Sequence, residues 1–271
     1  MLPLLIFDPS VVIGFLFVLA VAVRWFLVPS DDRRSEYLLL FSIFTLITAP
    51  SAQAVADGLS RLRPMKMDLY AYVADGPLGE PSFVLGRLVA PHAWLKVLLQ
   101  VSYGLLPVAV ILVFTCHVLQ RSPRIATIVW AFVINLVAAP LFYMLVPVCG
   151  PTFAFARFPV GPGHVIPHLI RINAAPNGIP SVHMSTAMLV AWFSRKSRVG
   201  LAAASVYLVL MVVATLASGQ HYGVDLLAAI PYAAGVLWVS NMGWLPGTAA
   251  ATAEVPRETE RKILFGQRQP G

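Results

Sequence analysis

The stretch PSVHMSTAMLVAWF, residues 180–193, places a proline, a serine and a histidine at the head of an apolar run. A second stretch, HYGVDLLAAIPYAAGVLWVS, residues 221–240, also begins with a histidine and continues as an apolar run. Repeated apolar runs of this kind predict an all-α, polytopic membrane helix bundle. The chain has only six histidines, so the two that begin apolar runs are the first candidates for chemistry.

The composition excludes an ordinary soluble domain. Of the 271 residues, 58% are hydrophobic and 11% are charged, and the mean hydropathy is +0.78. Soluble domains carry roughly 25% charged residues. The net charge of +7 does not indicate a nucleic-acid partner, because the basic residues lie in short loops between apolar runs, as in membrane proteins.

Seven segments have the apolar character of membrane spans. The fifth is the shortest, and it must extend into its flanks or tilt against its neighbours, since a bilayer core is about 30 Å thick. The segments predict a single catalytic domain over residues 1–245, followed by a flexible cytoplasmic tail over residues 246–271. They are Val11–Val28, Tyr37–Ala56, Ala93–Leu119, Ala126–Val148, Ser181–Phe193, Val199–Ala217 and His221–Ser240.

The distribution of basic residues predicts the orientation of the bundle. More than half of the 19 lysines and arginines lie in alternate connections and in the tail, which the positive-inside rule assigns to the cytoplasm. The N-terminus, both histidine motifs and the long connections 57–92 and 149–180 then fall on the outer face. That face is periplasmic, extracellular or lumenal.

His221 and Asp225 are four residues apart, which places them on one face of a helix. An aspartate there can accept the imidazole Nδ1–H, fix the tautomer and leave Nε2 free as a base or nucleophile. A carboxylate in a span is costly and is usually functional or paired. The alternative is that Asp225 pairs with a basic residue and only holds helices together.

Pro180 and Ser181 predict a helix start, because proline ends a preceding helix and serine is a favoured N-cap. His183 would lie in the first turn, where free N–H groups and the helix dipole attract anions such as phosphate. The alternative is a capped helix whose histidine only contacts water at the interface. With both motifs on one face of the membrane, one histidine can attack phosphorus while the other protonates the departing oxygen.

These motifs, PSVH followed by HYGVD, resemble the second and third motifs of the type 2 phosphatidic acid phosphatase superfamily. They are most similar to its inositol phosphorylceramide synthase-like branch of lipid phosphotransferases. The stretch YMLVPVCGPTFAFARFP, residues 143–159, is similar to the Gly-Pro loop before the second motif of that branch. The resemblance is best over residues 126–240 and implies a six-helix core, to which the seven predicted spans add one.

The resemblance also implies roles for individual residues. His221 would be the nucleophile, and Asp225 would orient it. His183 would be the general acid, and Ser181 would help to bind the phosphate. We expect neither a metal ion nor a cofactor, provided that cations hold the phosphoryl oxygens.

The expected phosphate-binding cations depart from the family pattern. RLRP supplies Arg63 before a proline, but Ala56 stands where phosphatase members carry a lysine. The Ser-Arg pair that opens their third motif is also absent. Either Arg63, Lys66 or Arg171 replaces these cations, or the phosphate is held differently.

The outer connection 57–92 has apolar residues at helical spacing from Met65 to Val73, which predicts a helix lying at the membrane interface. We expect most charges of this connection, among them Asp68 and Asp75, to be solvated or locally paired.

Together these features predict an integral membrane enzyme that cleaves a lipid phosphate ester at the outer face through a phosphohistidine intermediate. Its partner is a membrane lipid phosphate. The acceptor is either water, which makes it a lipid phosphatase, or a hydroxyl, which makes it a headgroup phosphotransferase. The alternative is a non-catalytic lipid-binding or transport protein on the same bundle, against which the intact His183, His221 and Asp225 argue.

Overall fold

The computed structural model describes residues 58–245 together with Phe41, Val55 and Thr248. The predicted spans Val11–Val28 and Tyr37–Ala56 and the predicted tail therefore lie outside the described residues, apart from these single positions. Within the described part, the chain is mostly helical and its only strands form one antiparallel pair. The all-α class is confirmed.

Residues 58–62 are helical, and nine α-helices with both ends described follow them. The short strands β1 (Met65–Lys66) and β2 (Ile170–Arg171) pair in the outer connections, and a 3₁₀ turn spans Gly76–Leu78. The helices are α1 (Asp68–Asp75), α2 (Pro81–Val89), α3 (Ala93–Gly104), α4 (Leu106–Leu119), α5 (Ile125–Leu145), α6 (Pro151–Ala154), α7 (Val182–Ser194), α8 (Arg198–Ala217) and α9 (Gly223–Ser240).

Three of these helices, α5, α8 and α9, are long and apolar enough to cross a membrane. Helices α3 and α4 form a fourth such element only if they are counted together, because they are bent by 46° at the break between them. Pro107 in the first turn of α4 lacks the N–H that a continuous helix would use, which accounts for the break. The described residues therefore contain three to four candidate spans.

The short helix α7 lies at the centre of the bundle. It packs against α4, α5, α8 and α9, and its Ala187 and Leu189 side chains are fully buried. Asn135 on α5 binds it from the side, accepting from Ser185 Oγ at 2.7 Å and donating to Thr186 Oγ1 at 2.9 Å. Because α7 packs against four other helices, it does not have to cross a bilayer by its own length.

The two ends of the bundle differ in chemistry. At one end, His117 Nε2 on α4 donates to the Phe193 carbonyl of α7 at 3.0 Å, beside the turns that carry Arg121 and Lys196. At the other end, the N-termini of α7 and α9 are covered by the two outer connections. The predicted separation of basic turns from histidine motifs is thus present in the fold.

A helix, α1, lies where the sequence predicts one, but Asp68 and Asp75 are neither solvated nor paired with a neighbouring side chain. Lys66, Asp68 and Asp75 are fully buried, whereas the apolar Met65 and Val73 are 43% exposed. The carboxylates are buried because they accept hydrogen bonds from backbone N–H groups of the loops beneath α1. Burial of this kind is invisible to a pattern of polar and apolar residues.

Candidate active site

His221 lies in a hydrogen-bonded chain with Ser181 and Asp225. Its Nδ1–H donates to Asp225 Oδ2 at 3.2 Å, and its Nε2 lies 3.1 Å from Ser181 Oγ. Asp225 Oδ2 also accepts from the Tyr222 N–H at 2.9 Å. Since the carboxylate holds the Nδ1 proton, the Nε2 lone pair is available and accepts the Ser181 hydroxyl proton. The predicted contact of His221 with Asp225 is confirmed, so no basic residue on another helix is needed as the partner.

Ser181 forms the predicted N-cap of α7. Its Oγ accepts from the Met184 N–H at 3.3 Å, and its own N–H donates to the Asp225 carbonyl at 3.3 Å. The starts of α7 and α9 are therefore joined directly. Two helix N-termini, both of which favour negative charge, point at the same small region.

His183 lies in the first turn of α7, and its ring centroid is 6.3 Å from that of His221. Its ring stacks on Tyr103 of α3 with centroids 4.1 Å apart, and Nδ1 lies 3.0 Å from the Tyr103 hydroxyl. His183 thus has a fixed partner rather than only water.

The connection 57–92 binds the start of α9 through two side chains. Asp75 Oδ1 accepts from the Val224 N–H at 2.9 Å, and Ser82 Oγ donates to the His221 carbonyl at 2.8 Å. A Cβ atom at Gly223 would lie only 2.8 Å from Asp75 Oδ1, so this position must be glycine for the carboxylate to approach. Burial raises the pKa of Asp75. Asp75 therefore acts as an N-cap that α9 receives from a distant segment.

Asp68 joins the connection 57–92 to the Gly-Pro loop. Its carboxylate accepts from the N–H groups of Cys149 at 3.1 Å and Gly150 at 2.8 Å, and from the Tyr222 hydroxyl at 3.2 Å. Burial raises the pKa of Asp68 to about 6, although these three hydrogen bonds oppose the shift. The Asp68 carboxylate therefore binds both the Gly-Pro loop and Tyr222, the residue that follows His221.

The Gly-Pro loop packs closely on the backbone that precedes His221. Thr152 N–H donates to the Gly219 carbonyl at 2.9 Å. Gly150 has φ +120° and ψ 157°, and a Cβ atom there would overlap the Gln220 carbonyl. This approach is possible only for glycine.

The three predicted phosphate-binding cations lie elsewhere in the outer connections. Arg63 and Arg171 are exposed at the β1–β2 pair, where Met65 is opposite Arg171. Lys66 is buried, its Nζ donates to the Arg63 carbonyl, and burial lowers its pKa. Within the described residues, no hydrogen bond joins these side chains to the histidines.

The main contributors that sequence reasoning missed are Tyr103, Asp75, Ser82 and Asp68. Tyr103 is 80 residues from His183, and Asp75 is 149 residues from Val224. No local pattern links such pairs. The one available signal was the cluster of carboxylates in an otherwise apolar chain, because buried carboxylates require partners.

Comparison with known proteins gives one match. A family model described as the PAP2 superfamily matches residues 79–239, which is more than half of the chain. The match begins just before α2 and ends in α9, so it includes Ser181, His183, His221 and Asp225. No curated protein and no solved structure matches the chain.

Proposed function

Because the chain belongs to the PAP2 superfamily, we propose that it is a membrane enzyme that cleaves a lipid phosphate ester through a phosphohistidine on His221. Membership in this superfamily suggests phosphatase-type phosphoester chemistry. The observation that carries the proposal is the chain of Ser181, His221 and Asp225 with the His183 ring 6.3 Å from that of His221. A bundle that only binds lipid would not need this arrangement.

In the first step, Nε2 of His221 attacks phosphorus and the bond from phosphorus to the alcohol oxygen breaks. His183 gives its proton to that oxygen, so the alcohol leaves neutral. Asp225 stabilises the charge that develops on the His221 ring. Without substrate, the Ser181 hydroxyl donates its hydrogen bond to Nε2 of His221. When Nε2 attacks phosphorus, the hydroxyl keeps its proton and donates the hydrogen bond to a phosphoryl oxygen instead.

In the second step, an acceptor hydroxyl attacks phosphorus and the bond between phosphorus and Nε2 breaks. Neutral His183 takes the proton of the acceptor, which restores its charged form. Water as the acceptor gives free phosphate or a phosphomonoester, and an alcohol gives a new phosphoester. Both outcomes share the first step, so the residues near His221 serve either.

The different partners of the two histidines support this assignment of roles. A carboxylate beside His221 Nδ1 favours positive charge on the ring, which is what a nucleophile that becomes phosphorylated requires. The neutral Tyr103 hydroxyl beside His183 can accept Nδ1–H but offers no negative charge. We therefore assign the proton transfers to His183 and the covalent step to His221.

The assay for this proposal uses purified protein and ³²P-labelled lipid phosphates and phosphodiesters, with and without polyol acceptors. Release of phosphate without an acceptor identifies a phosphatase, and product formed only with an acceptor identifies a transferase. We expect a labelled enzyme that is labile in acid and stable in alkali, as a phosphohistidine is, and activity that survives EDTA. Acid-stable label on Ser181, or no turnover of any phosphoester by folded protein, would contradict the proposal.

We further propose a seven-span bundle whose N-terminus and active site face outward. The basic turns at Arg121 and Lys196 lie at the end opposite the histidines, as the positive-inside rule requires for this orientation. The seven are the two predicted spans Val11–Val28 and Tyr37–Ala56, the bent pair α3–α4 as one span, and the helices α5, α7, α8 and α9.

Single cysteines test this orientation in a background where Cys116 and Cys149 are alanine. Ile166→Cys replaces a side chain that is 74% exposed in the outer connection, and Lys196→Cys lies in an exposed basic turn. In intact cells, a membrane-impermeant maleimide is expected to label position 166 and not 196, and both after permeabilisation. The reverse pattern would overturn the orientation.

A further inference from the structure

A cavity of about 580 Å³ lies between α2, α3 and α8 and is closed on one side by Phe158 and Pro159. It reaches the active site at two points. Gln220, which directly precedes His221, lines it, and so does Tyr103, whose hydroxyl is bonded to His183. The cavity wall is thus linked to His183 by the Tyr103 hydroxyl and includes the residue before His221, while neither histidine lines the cavity itself.

Most of the cavity wall is apolar. Val89, Leu99 and Ala214 are buried and pack together, and Ala217 adjoins them. A surface of this kind favours a hydrocarbon group over water.

One polar stripe runs along the α3 side of the cavity. Lys96, Gln100 and Tyr103 follow one another at spacings of four and three residues, which places them on a single helix face. Lys96 is exposed toward the mouth, and no carboxylate of the described residues lies within ion-pair distance of it. A helix rises 1.5 Å per residue, so Lys96 and Tyr103 are about 10 Å apart along the axis of α3.

We infer that this cavity holds the leaving alcohol of the substrate, and that Lys96 binds an anionic group that this alcohol carries about 10 Å from the ester oxygen. The inference rests on the proposed function, because it uses His183 as the acid that protonates the departing oxygen. Since Tyr103 joins His183 to the cavity wall, the departing oxygen lies on the cavity side of the phosphate. The alcohol is then an amphiphile with a hydrocarbon body against Val89 and Leu99 and an anionic end at Lys96.

The experiment compares two nine-carbon alkyl phosphates, one ending in a methyl group and the other in a carboxylate, with phenyl phosphate as a small reference. The wild-type protein is expected to prefer the carboxylate over the methyl-ended substrate by up to about fivefold in kcat/KM, the most that an ion pair with an exposed lysine typically contributes. Lys96→Gln should reduce the preference to about one, and Lys96→Arg should keep it. Lys196→Gln removes the same charge at the opposite end and should leave the preference intact.

A second pair of variants tests the volume of the cavity. Ala217→Leu fills part of it and should raise KM for both alkyl phosphates relative to phenyl phosphate. Ala203→Leu makes the same change at an exposed position of the same helix and should not. The inference is overturned if Ala217→Leu affects all three substrates equally, or if Lys96→Gln leaves the preference unchanged. In either case, turnover of phenyl phosphate would leave the proposed function standing. Absence of turnover and of phosphoenzyme with every substrate would instead refute the proposed function.

Discussion

Replacing His221 by alanine is expected to abolish turnover of every phosphoester, whereas replacing His183 by alanine should abolish turnover only of esters with poor leaving groups. His221 supplies the atom that bonds to phosphorus, so no substrate can avoid its loss. His183 supplies only a proton. A lipid alkoxide needs that proton in order to depart, but an aryl phenolate is stable enough to depart without it.

The expected size of the His183 effect follows from general acid catalysis, which is typically worth about 10²–10⁴-fold. His183→Ala should lose this factor in kcat on a lipid phosphate and much less on an aryl phosphate. Measurements of kcat on both substrates, together with ³²P label retained on the protein, distinguish the roles. In His183→Ala with the aryl substrate, the phosphoenzyme should still form.

Two conservative variants serve as controls for position rather than chemistry. Asp225→Asn should impair both substrates, because the His221 ring loses the carboxylate that holds its Nδ1–H at 3.2 Å. Tyr103→Phe keeps the aromatic stack on His183 but removes the hydroxyl at 3.0 Å. It should therefore affect the lipid substrate more than the aryl one. Rescue of His221→Ala by an aryl substrate would mean that the two roles are reversed.

The sequence was sufficient wherever a site contact is local. His221 and Asp225 meet because four residues of one helix separate them, and Ser181 caps α7 because serine after proline is a strong helix start. Both contacts could be predicted without knowing how the helices pack. The roles of these residues come from the family resemblance and are still predictions.

The sequence was insufficient wherever packing decides. Asp68 and Asp75 are predicted to be solvated or locally paired, yet both are buried, because they accept from backbone N–H groups of distant segments that only folding brings near. Tyr103 is absent from the predicted site because its contact with His183 depends on how α3 packs against α8, which the sequence does not reveal. The break at Leu105 divided a segment that was predicted as one span, since a bilayer-length apolar run does not reveal where it bends.

The cations illustrate a different limit. The sequence predicts replacements for the missing lysine and arginine of the family pattern from residue type alone, namely Arg63, Lys66 and Arg171. It gives no information on where these side chains lie relative to the histidines. The described contacts place Lys66 against the Arg63 carbonyl and leave the two arginines at the β1–β2 pair. The two histidines lie at the starts of α7 and α9, and helix N-termini favour negative charge without a side chain.

The second large effect is expected at Gly150, where alanine should disrupt the active site without touching any of its side chains. The φ and ψ angles of Gly150, +120° and 157°, lie in a region essentially restricted to glycine. A Cβ atom there would also lie 2.7 Å from the Gln220 carbonyl carbon and 2.9 Å from the Gly219 oxygen. Relief of this overlap requires the backbone that carries His221 to move.

A displacement of about 1 Å at a reacting group can lower a rate by about 10²-fold, so Gly150→Ala should lose at least that much activity. The backbone strain adds about 1–3 kcal/mol of destabilisation, which should lower the melting temperature in detergent. Gly235→Ala is the matched control, because Gly235 lies within α9, its φ is not left-handed and a Cβ atom there meets nothing within 4 Å. That variant should melt and turn over like the wild type. If Gly150→Ala did the same, the Gly-Pro loop would not be what holds the backbone before His221 in place, and the position of the nucleophile would have to depend on Asp75 and Ser82 alone.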